Sequence, residues 1–207
     1  MKICGNRSSG DIRLSAGADY LGFIIDTPRS RRSLGVREAV PLFREASEHA
    51  KTVAVVTHAE TDFLRNVCSA LEPDYIQLHL LLGADEVAAA ADAVSSGIIA
   101  LAKPERSFAP AAREIGAIAD MVIVDTFRDG VSGGTGTVHD WSASRTIRDA
   151  VYPASLVLSG GLNPVNVAEA VRTVEPAVVD VAGGVESGGR KSADLVRAFM
   201  SSARCLM

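Results

Sequence analysis

Two side chains of opposite acid–base character, Cys4 and Asp125, each close a short apolar run, Lys2 to Cys4 and Met121 to Asp125. A thiolate removes a proton and a carboxylic acid gives one, and a positioned group of either kind contributes about 10²- to 10⁴-fold in rate. Alone, Cys4 reads as a small buried hydrophobe and Asp125 as a strand-end cap. Their joint placement makes them candidates for catalysis. Two glycine-rich turns accompany them, Ser159-Gly160-Gly161-Leu162-Asn163-Pro164 and Ala182-Gly183-Gly184-Val185-Glu186. Glycines let backbone N–H groups approach an anion, and Asn163-Pro164 supplies a helix cap and first helical position. Turns of this kind after adjacent strands predict a phosphate site, because N–H groups and helix N-termini favour negative charge. A third segment, Gly133-Gly134-Thr135-Gly136, reads as a mobile lid beside Asp125.

The four histidines, His49, His58, His79 and His139, show no paired ligand spacing, so a metal is not required. His79 stands where it would face the mouth of the fold, although a satisfied core histidine is the more frequent outcome for such a residue. Arg29, Arg31 and Arg32 form a run that usually stays solvated, yet an arginine fork at a pocket rim matches a carboxylate.

The elements that must position these groups are legible as a repeat. Eight near-continuous apolar runs begin at Lys2, Tyr20, Thr52, Tyr75, Ile98, Met121, Ser155 and Val178, the pattern of strands buried on both faces. Ala-rich segments with helical spacing lie between them, among them Glu60 to Leu71, Ala84 to Val94, Pro164 to Val174 and Ala193 to Ala203. Successive strand starts are 18, 32, 23, 23, 23, 34 and 23 residues apart, so about 23 residues make one unit. The two long units hold extra loop at Asp26 to Gly35 and Thr126 to Asp140. Eight such units without a linker predict a single α/β domain over residues 1–207, a closed (β/α)8 TIM barrel. An open doubly wound sheet is the alternative, but no Gly-x-Gly-x-x-Gly follows the first strand. Barrel chemistry gathers at the C-terminal strand ends, here Cys4, Asp26, Thr57, His79, Lys103, Asp125, Ser159 and Asp180.

Composition narrows the partners. A length of 207 residues with 47% hydrophobic content buries one sizeable core. The net charge of −4 with scattered basic residues argues against nucleic acid and anionic membrane. Three cysteines without a framework spacing fit a reducing cytoplasm, and no apolar stretch approaches the roughly 18 residues of a membrane span. A small phosphorylated molecule is the expected ligand.

Taken in order, Lys2-Ile3-Cys4-Gly5, Gly17-Ala18-Asp19-Tyr20-Leu21-Gly22-Phe23, Ser30-Arg31-Arg32, Gln77-Leu78-His79 and Asp125-Thr126 give the chain a distinctive outline. Gly133 to Gly136 with Asp140-Trp141, Leu158 to Val167, Val179-Asp180-Val181 and Gly184-Val185-Glu186 complete it. From end to end this pattern resembles the phosphoribosylanthranilate isomerases of tryptophan biosynthesis. The resemblance implies an Amadori rearrangement with Asp125 as general acid and Cys4 as general base, and no cofactor. It further implies that Arg32 holds the anthranilate carboxylate, and that the backbone around Gly160, Gly161, Gly183 and Gly184 holds the phosphate. His79 and Asp180 join the substrate-binding set, and the chain is expected as a monomer or homodimer. Departures from the family pattern are Leu80 for a glycine, Ala182-Gly183 for Ser-Ser, Thr57 for Asn and Ser192 for Asp. Ala182-Gly183 gives up hydroxyl contacts and keeps the backbone ones, and all four departures bear on affinity and pocket shape while sparing the acid and the base.

Three other readings compete. A histidine-pathway isomerase would need a second phosphate site in the first half, and no counterpart of Ser159-Gly160-Gly161 occurs there. A ribulose-phosphate epimerase would need metal-binding His and Asp at strand ends. A non-catalytic phosphosugar-binding barrel would keep the cradle and dispense with Cys4 and Asp125.

Overall fold

The computed structural model describes residues 1–128, 131–132 and 138–204, with the backbone alone at 127–128 and 131–132. Eight parallel strands close on themselves: β1 (Lys2–Ile3), β2 (Tyr20–Ile25), β3 (Lys51–Val56), β4 (Tyr75–Leu78), β5 (Gly97–Ala102), β6 (Met121–Val124), β7 (Ser155–Leu158) and β8 (Val178–Val181). Closure is made by β1, which pairs with β2 through Lys2↔Tyr20 and with β8 through Lys2↔Asp180. The expected barrel is therefore observed, and the open doubly wound sheet is not.

Each strand is followed by a helix: α1 (Ser9–Leu14), α2 (Val36–Ser47), α3 (Thr61–Leu71), α4 (Ala84–Ala93), α5 (Ala109–Gly116), α6 (Trp141–Val151), α7 (Val167–Val174) and α8 (Ala193–Arg204). Carboxylates at the N-termini start several of them. Glu38 accepts from Gly35 N–H and Glu86 from Gly83 N–H, both at 2.8 Å, and Asp140 accepts from Ser142 N–H at 2.9 Å. The long unit after β2 contains a short extra strand, Ser33–Leu34, laid parallel against Ile24 and Ile25.

One expected boundary moves. Helix α7 begins at Val167 rather than Pro164. Asn163 instead caps a preceding turn, its Oδ1 accepting from Val165 N–H at 2.9 Å and Asn166 N–H at 3.2 Å. The side-chain acceptor offers the backbone a turn in place of the helical ladder.

Period-two alternation splits every strand between two apolar populations. Ile3, Leu21, Phe23, Ile25, Ala54, Val56, Ile76 and Leu78 pack outward beneath the helices. Cys4, Val53, Val55, Ile99, Leu101, Met121, Ile123, Val157 and Val178 fill the barrel interior. At the N-terminal face two aspartates tie neighbouring strands: Asp74 Oδ2 accepts from Thr52 N–H at 2.7 Å, and Asp120 Oδ2 from Ile98 N–H at 2.8 Å. The outer layer is anchored by Phe23 on β2 against Phe43 on α2, ring centroids 4.7 Å apart. Both rings are buried. We expect Phe43→Ala to cost about 3–5 kcal/mol through lost contact and a cavity, read as a lower urea midpoint. A loss under about 1 kcal/mol would show that α2 repacks freely.

Candidate active site

Alternation places Lys2 and Cys4 on the same inward face of β1, and both are buried. The Cys4 N–H donates to Val181 O at 2.8 Å, which fixes the strand end against β8. Its side chain lies over Gly22 of β2, where an added Cβ would come within 2.8 Å of Cys4 Sγ and 3.1 Å of Lys2 Cε. Lys2 Nζ pairs with Asp180 Oδ2 at 3.0 Å inside the barrel. Burial raises the Cys4 thiol above its ordinary pKa, and the Lys2 charge pulls it back in part. Asp180 Oδ1 is buried without a hydrogen-bond partner among the described residues, an acceptor left for something else.

Asp125 ends β6, three strands round the ring from β1 through β7 and β8. Its Oδ1 accepts from Thr126 N–H at 2.6 Å, and its Oδ2 lies 3.4 Å from His79 Nε2. The Gln77 amide nitrogen donates to His79 Nδ1 at 3.0 Å, which leaves the ring proton on Nε2, facing the carboxylate. Thr126 Oγ1 meets His139 Nδ1 at 3.0 Å, and His139 Nε2 meets Ser144 Oγ at 2.6 Å. Burial lowers the pKa of His139, keeping this bridge neutral. The acid is thus carried on a chain of hydrogen bonds reaching α6.

The two glycine loops touch each other. An added Cβ on Gly184 would lie 1.9 Å from Leu162 O, so the loops after β7 and β8 are packed backbone to backbone. Gly160, at φ +92°, leaves no room for a side chain either, since its Cβ would reach Thr126 Oγ1 at 2.3 Å. The Gly160 turn therefore abuts Asp125 and Thr126. Gly183, Gly184 and Val185 form a short 3₁₀ turn after β8.

Arg32 crosses from the β2 loop toward Gly5 and Gly183. Its Nε and Nη2 grip Glu186 at 2.7 and 2.9 Å, and Arg31 Nη2 reaches the same carboxylate at 2.9 Å. Lys191 Nζ adds a third cation at 3.6 Å from Glu186 while donating to Cys4 O at 2.6 Å and Ala182 O at 3.1 Å. Burial lowers the Lys191 pKa, and the Glu186 charge opposes that.

The structure thus brings Cys4, Asp180, Arg32, Gly183 and Gly184 to one side of the mouth, and Asp125, His79, Gly160 and Gly161 to the other. Of the remaining strand-end residues, Asp26 is exposed and left-handed at φ +42°. The expected lid, Gly133 to Gly136, lies outside the described residues. Sequence reasoning does not single out Lys2, Lys191, Glu186 or His139 as site residues. Spacing of two from Cys4 would have found Lys2 on the same face, and of two from His79, Gln77. Lys191 and His139 are assembled by tertiary contacts that no local pattern announces. Among the described residues no cluster of three or more His, Cys, Asp or Glu could hold a metal ion, and no helix is long and apolar enough to cross a membrane.

A closed parallel barrel whose polar mouth joins such groups at the strand ends has the architecture of a (β/α)8 enzyme. Residues 1–202 match the family model for N-(5'-phosphoribosyl)anthranilate (PRA) isomerase, and the chain belongs to that family. A relative from Haloferax volcanii, named N-(5'-phosphoribosyl)anthranilate isomerase, is 39% identical over 99% of this chain and 92% of its own. The phosphoribosyl anthranilate isomerase of Thermotoga maritima superposes with a TM-score of 0.85 at 30% identity, covering 99% of this chain and 98% of that one. A further structure of the enzyme, in complex with reduced 1-(o-carboxyphenylamino)-1-deoxyribulose 5-phosphate, has a TM-score of 0.81 at 29% identity, with 99% and 98% covered.

If the paired loops hold phosphate, Gly184→Ala will separate them. We expect KM to rise about ten-fold or more, the equivalent of one charge-assisted hydrogen bond of about 1.5–3 kcal/mol, with a smaller change in kcat. An unchanged KM would place the anion elsewhere.

Proposed function

We propose that the chain catalyses the Amadori rearrangement of N-(5-phosphoribosyl)anthranilate to 1-(2-carboxyphenylamino)-1-deoxyribulose 5-phosphate, with Asp125 as acid and Cys4 as base. The observation that carries the assignment is the placement of these two groups on opposite flanks of one mouth, over joined glycine loops. The loops at Gly160-Gly161 and Gly183-Gly184 anchor the phosphate through N–H groups. Asp125 then protonates the ribose ring oxygen, the C1′–O bond breaks, and the anthranilate nitrogen's lone pair forms the Schiff base. The Cys4 thiolate takes the proton from C2′. The released electron pair moves through C1′ to the iminium nitrogen, giving an enolamine that tautomerises to the ketone. Oxidation at C2′ balances reduction at C1′ within one molecule, so acid and base alone complete the reaction.

Arg32 holds the anthranilate carboxylate. Glu186 occupies its Nε and one hydrogen of Nη2, which leaves the Nη1 edge without a protein partner among the described residues. His79, hydrogen-bonded by Gln77, supports Asp125, and the open Oδ1 of Asp180 accepts a sugar hydroxyl.

The test is the loss of anthranilate fluorescence when purified protein meets freshly generated N-(5-phosphoribosyl)anthranilate. Asp125→Asn retains the acceptor for Thr126 N–H, and Cys4→Ala retains the fold. Each should lower kcat by about 10²- to 10⁴-fold while product still binds. Turnover unaltered in either variant would remove that residue from the mechanism, and no turnover in the parent would return the non-catalytic binder. A thiol titration tests the surroundings of the base separately. The thiolate is the reactive form and burial raises the thiol's pKa, so the 240 nm thiolate absorbance of Cys4, read as the difference from Cys4→Ala, should grow only as pH rises past about 8.5, the ordinary thiol value. A Cys4 thiol already ionised below that pH would show that burial does not govern it.

A further inference from the structure

We infer that Lys2 is a positioning residue for the base: its ammonium, clasped by Asp180 one layer deeper in the barrel, is the counter-charge against which the Cys4 thiolate forms. The inference rests on the reading of Cys4 as base and adds the group that makes such a base possible in an apolar interior. Lys2 is among the largest fully buried side chains of the molecule, with about 1% of its surface exposed. A buried ammonium is costly and would be replaced without loss of packing by an apolar chain if it served structure alone. Here it has three N–H donors, and Asp180 Oδ2 takes one at 3.0 Å.

Geometry places the charge at the thiol. Lys2 and Cys4 share one face of β1, and Sγ and the lysine Cε close on the same point above Gly22. A glycine at that position is what lets both side chains lie there. Among the described residues the charged groups around Cys4 are few. Lys2 comes from β1, Asp180 from β8, Lys191 and Arg32 from the rim, and the β2 neighbour, Gly22, carries none. Lys2 exceeds Asp180 in its effect on the thiol, so the pair as a whole favours the thiolate although it is formally neutral. Lys191 acts in the same direction more weakly, and its hydrogen bonds go to the Cys4 and Ala182 carbonyls. Arg32 is already committed to Glu186. The thiolate, when it forms, is left with Lys2 as its principal cation.

The test reads the thiol directly. In a Cys68→Ser, Cys205→Ser background Cys4 is the sole thiol, and its ionisation appears as 240 nm absorbance taken as the difference from the same protein carrying Cys4→Ser. Lys2→Met should raise the midpoint by about 1–2 on the pH scale, and Lys2→Arg should bring it most of the way back. Asp180→Asn, which removes the opposing carboxylate and keeps the lysine, should lower it. The activity of Lys2→Met should fall by the factor that its midpoint shift sets, about ten- to a hundred-fold, and Lys2→Arg should recover midpoint and activity together, which a merely structural defect would not do. A folded Lys2→Met protein with an unmoved midpoint overturns the inference. If that variant does not fold, Asp180→Asn decides, and an unmoved midpoint there overturns it equally. Turnover that survives Cys4→Ser overturns the base assignment itself and is recorded separately from the titration.

Discussion

Eight parallel strands closed into a ring leave each side chain only two directions, and that alternation is the constraint on which the site depends. Once Ile3 faces the helices, Lys2 and Cys4 must face the axis. Leu78 and Val124 face outward, so Gln77 with His79, and Ile123 with Asp125, face inward. Register then makes neighbours of residues far apart in the chain. Lys2 stands beside Asp180, and the ion pair follows from that adjacency. Two charges of this kind cannot be buried singly. Removing one partner of such a pair typically costs about 3–5 kcal/mol, because the other is left in a medium that cannot solvate it. The floor of the site is therefore stiff for reasons independent of catalysis.

Above that floor the rim is governed by excess positive charge. Arg31, Arg32 and Lys191 converge on Glu186, which neutralises one of the three. A guanidinium held along one edge by a carboxylate is already oriented when a ligand arrives, so less rotamer freedom is lost on binding. The opposite flank is organised by hydrogen-bonded imidazoles, His79 on Gln77 and His139 between Thr126 and Ser144. Cys4 and Asp125 thus lie in different surroundings, the first among cations and the second among hydrogen-bonded rings.

Much of this was legible in the chain and some was not. Strands β2 and β8 coincide with the apolar runs at Tyr20 to Ile25 and Val178 to Val181, because double-sided burial favours near-continuous apolar runs. The glycine turns were legible because close backbone approach excludes a Cβ, as at Gly160 and Gly184. The start of α7 was not, since Asn163-Pro164 signals a helix start equally well whether the helix begins there or one turn later. Lys2 read as part of a strand because nothing local distinguishes a buried lysine from a solvated one. Its partner lies 178 positions away. Lys191 and Glu186 meet across a short antiparallel hairpin, Glu186–Ser187 with Arg190–Lys191, whose geometry depends on Gly188 and Gly189 at positive φ.

The contact of Gly184 with the Leu162 carbonyl bears on how such a barrel can change over generations. Two loops that meet backbone to backbone share a single shape, and an insertion in one finds the other in its way. The last two βα units are in that sense a single heritable part. Recombination that cuts between β7 and β8 would join loops selected in different company, whereas a crossover before β7 would carry the pair across whole. The long loop after β2 meets them through side chains instead, Arg31 and Arg32 on Glu186, and a side-chain contact binds the course of the backbone less tightly.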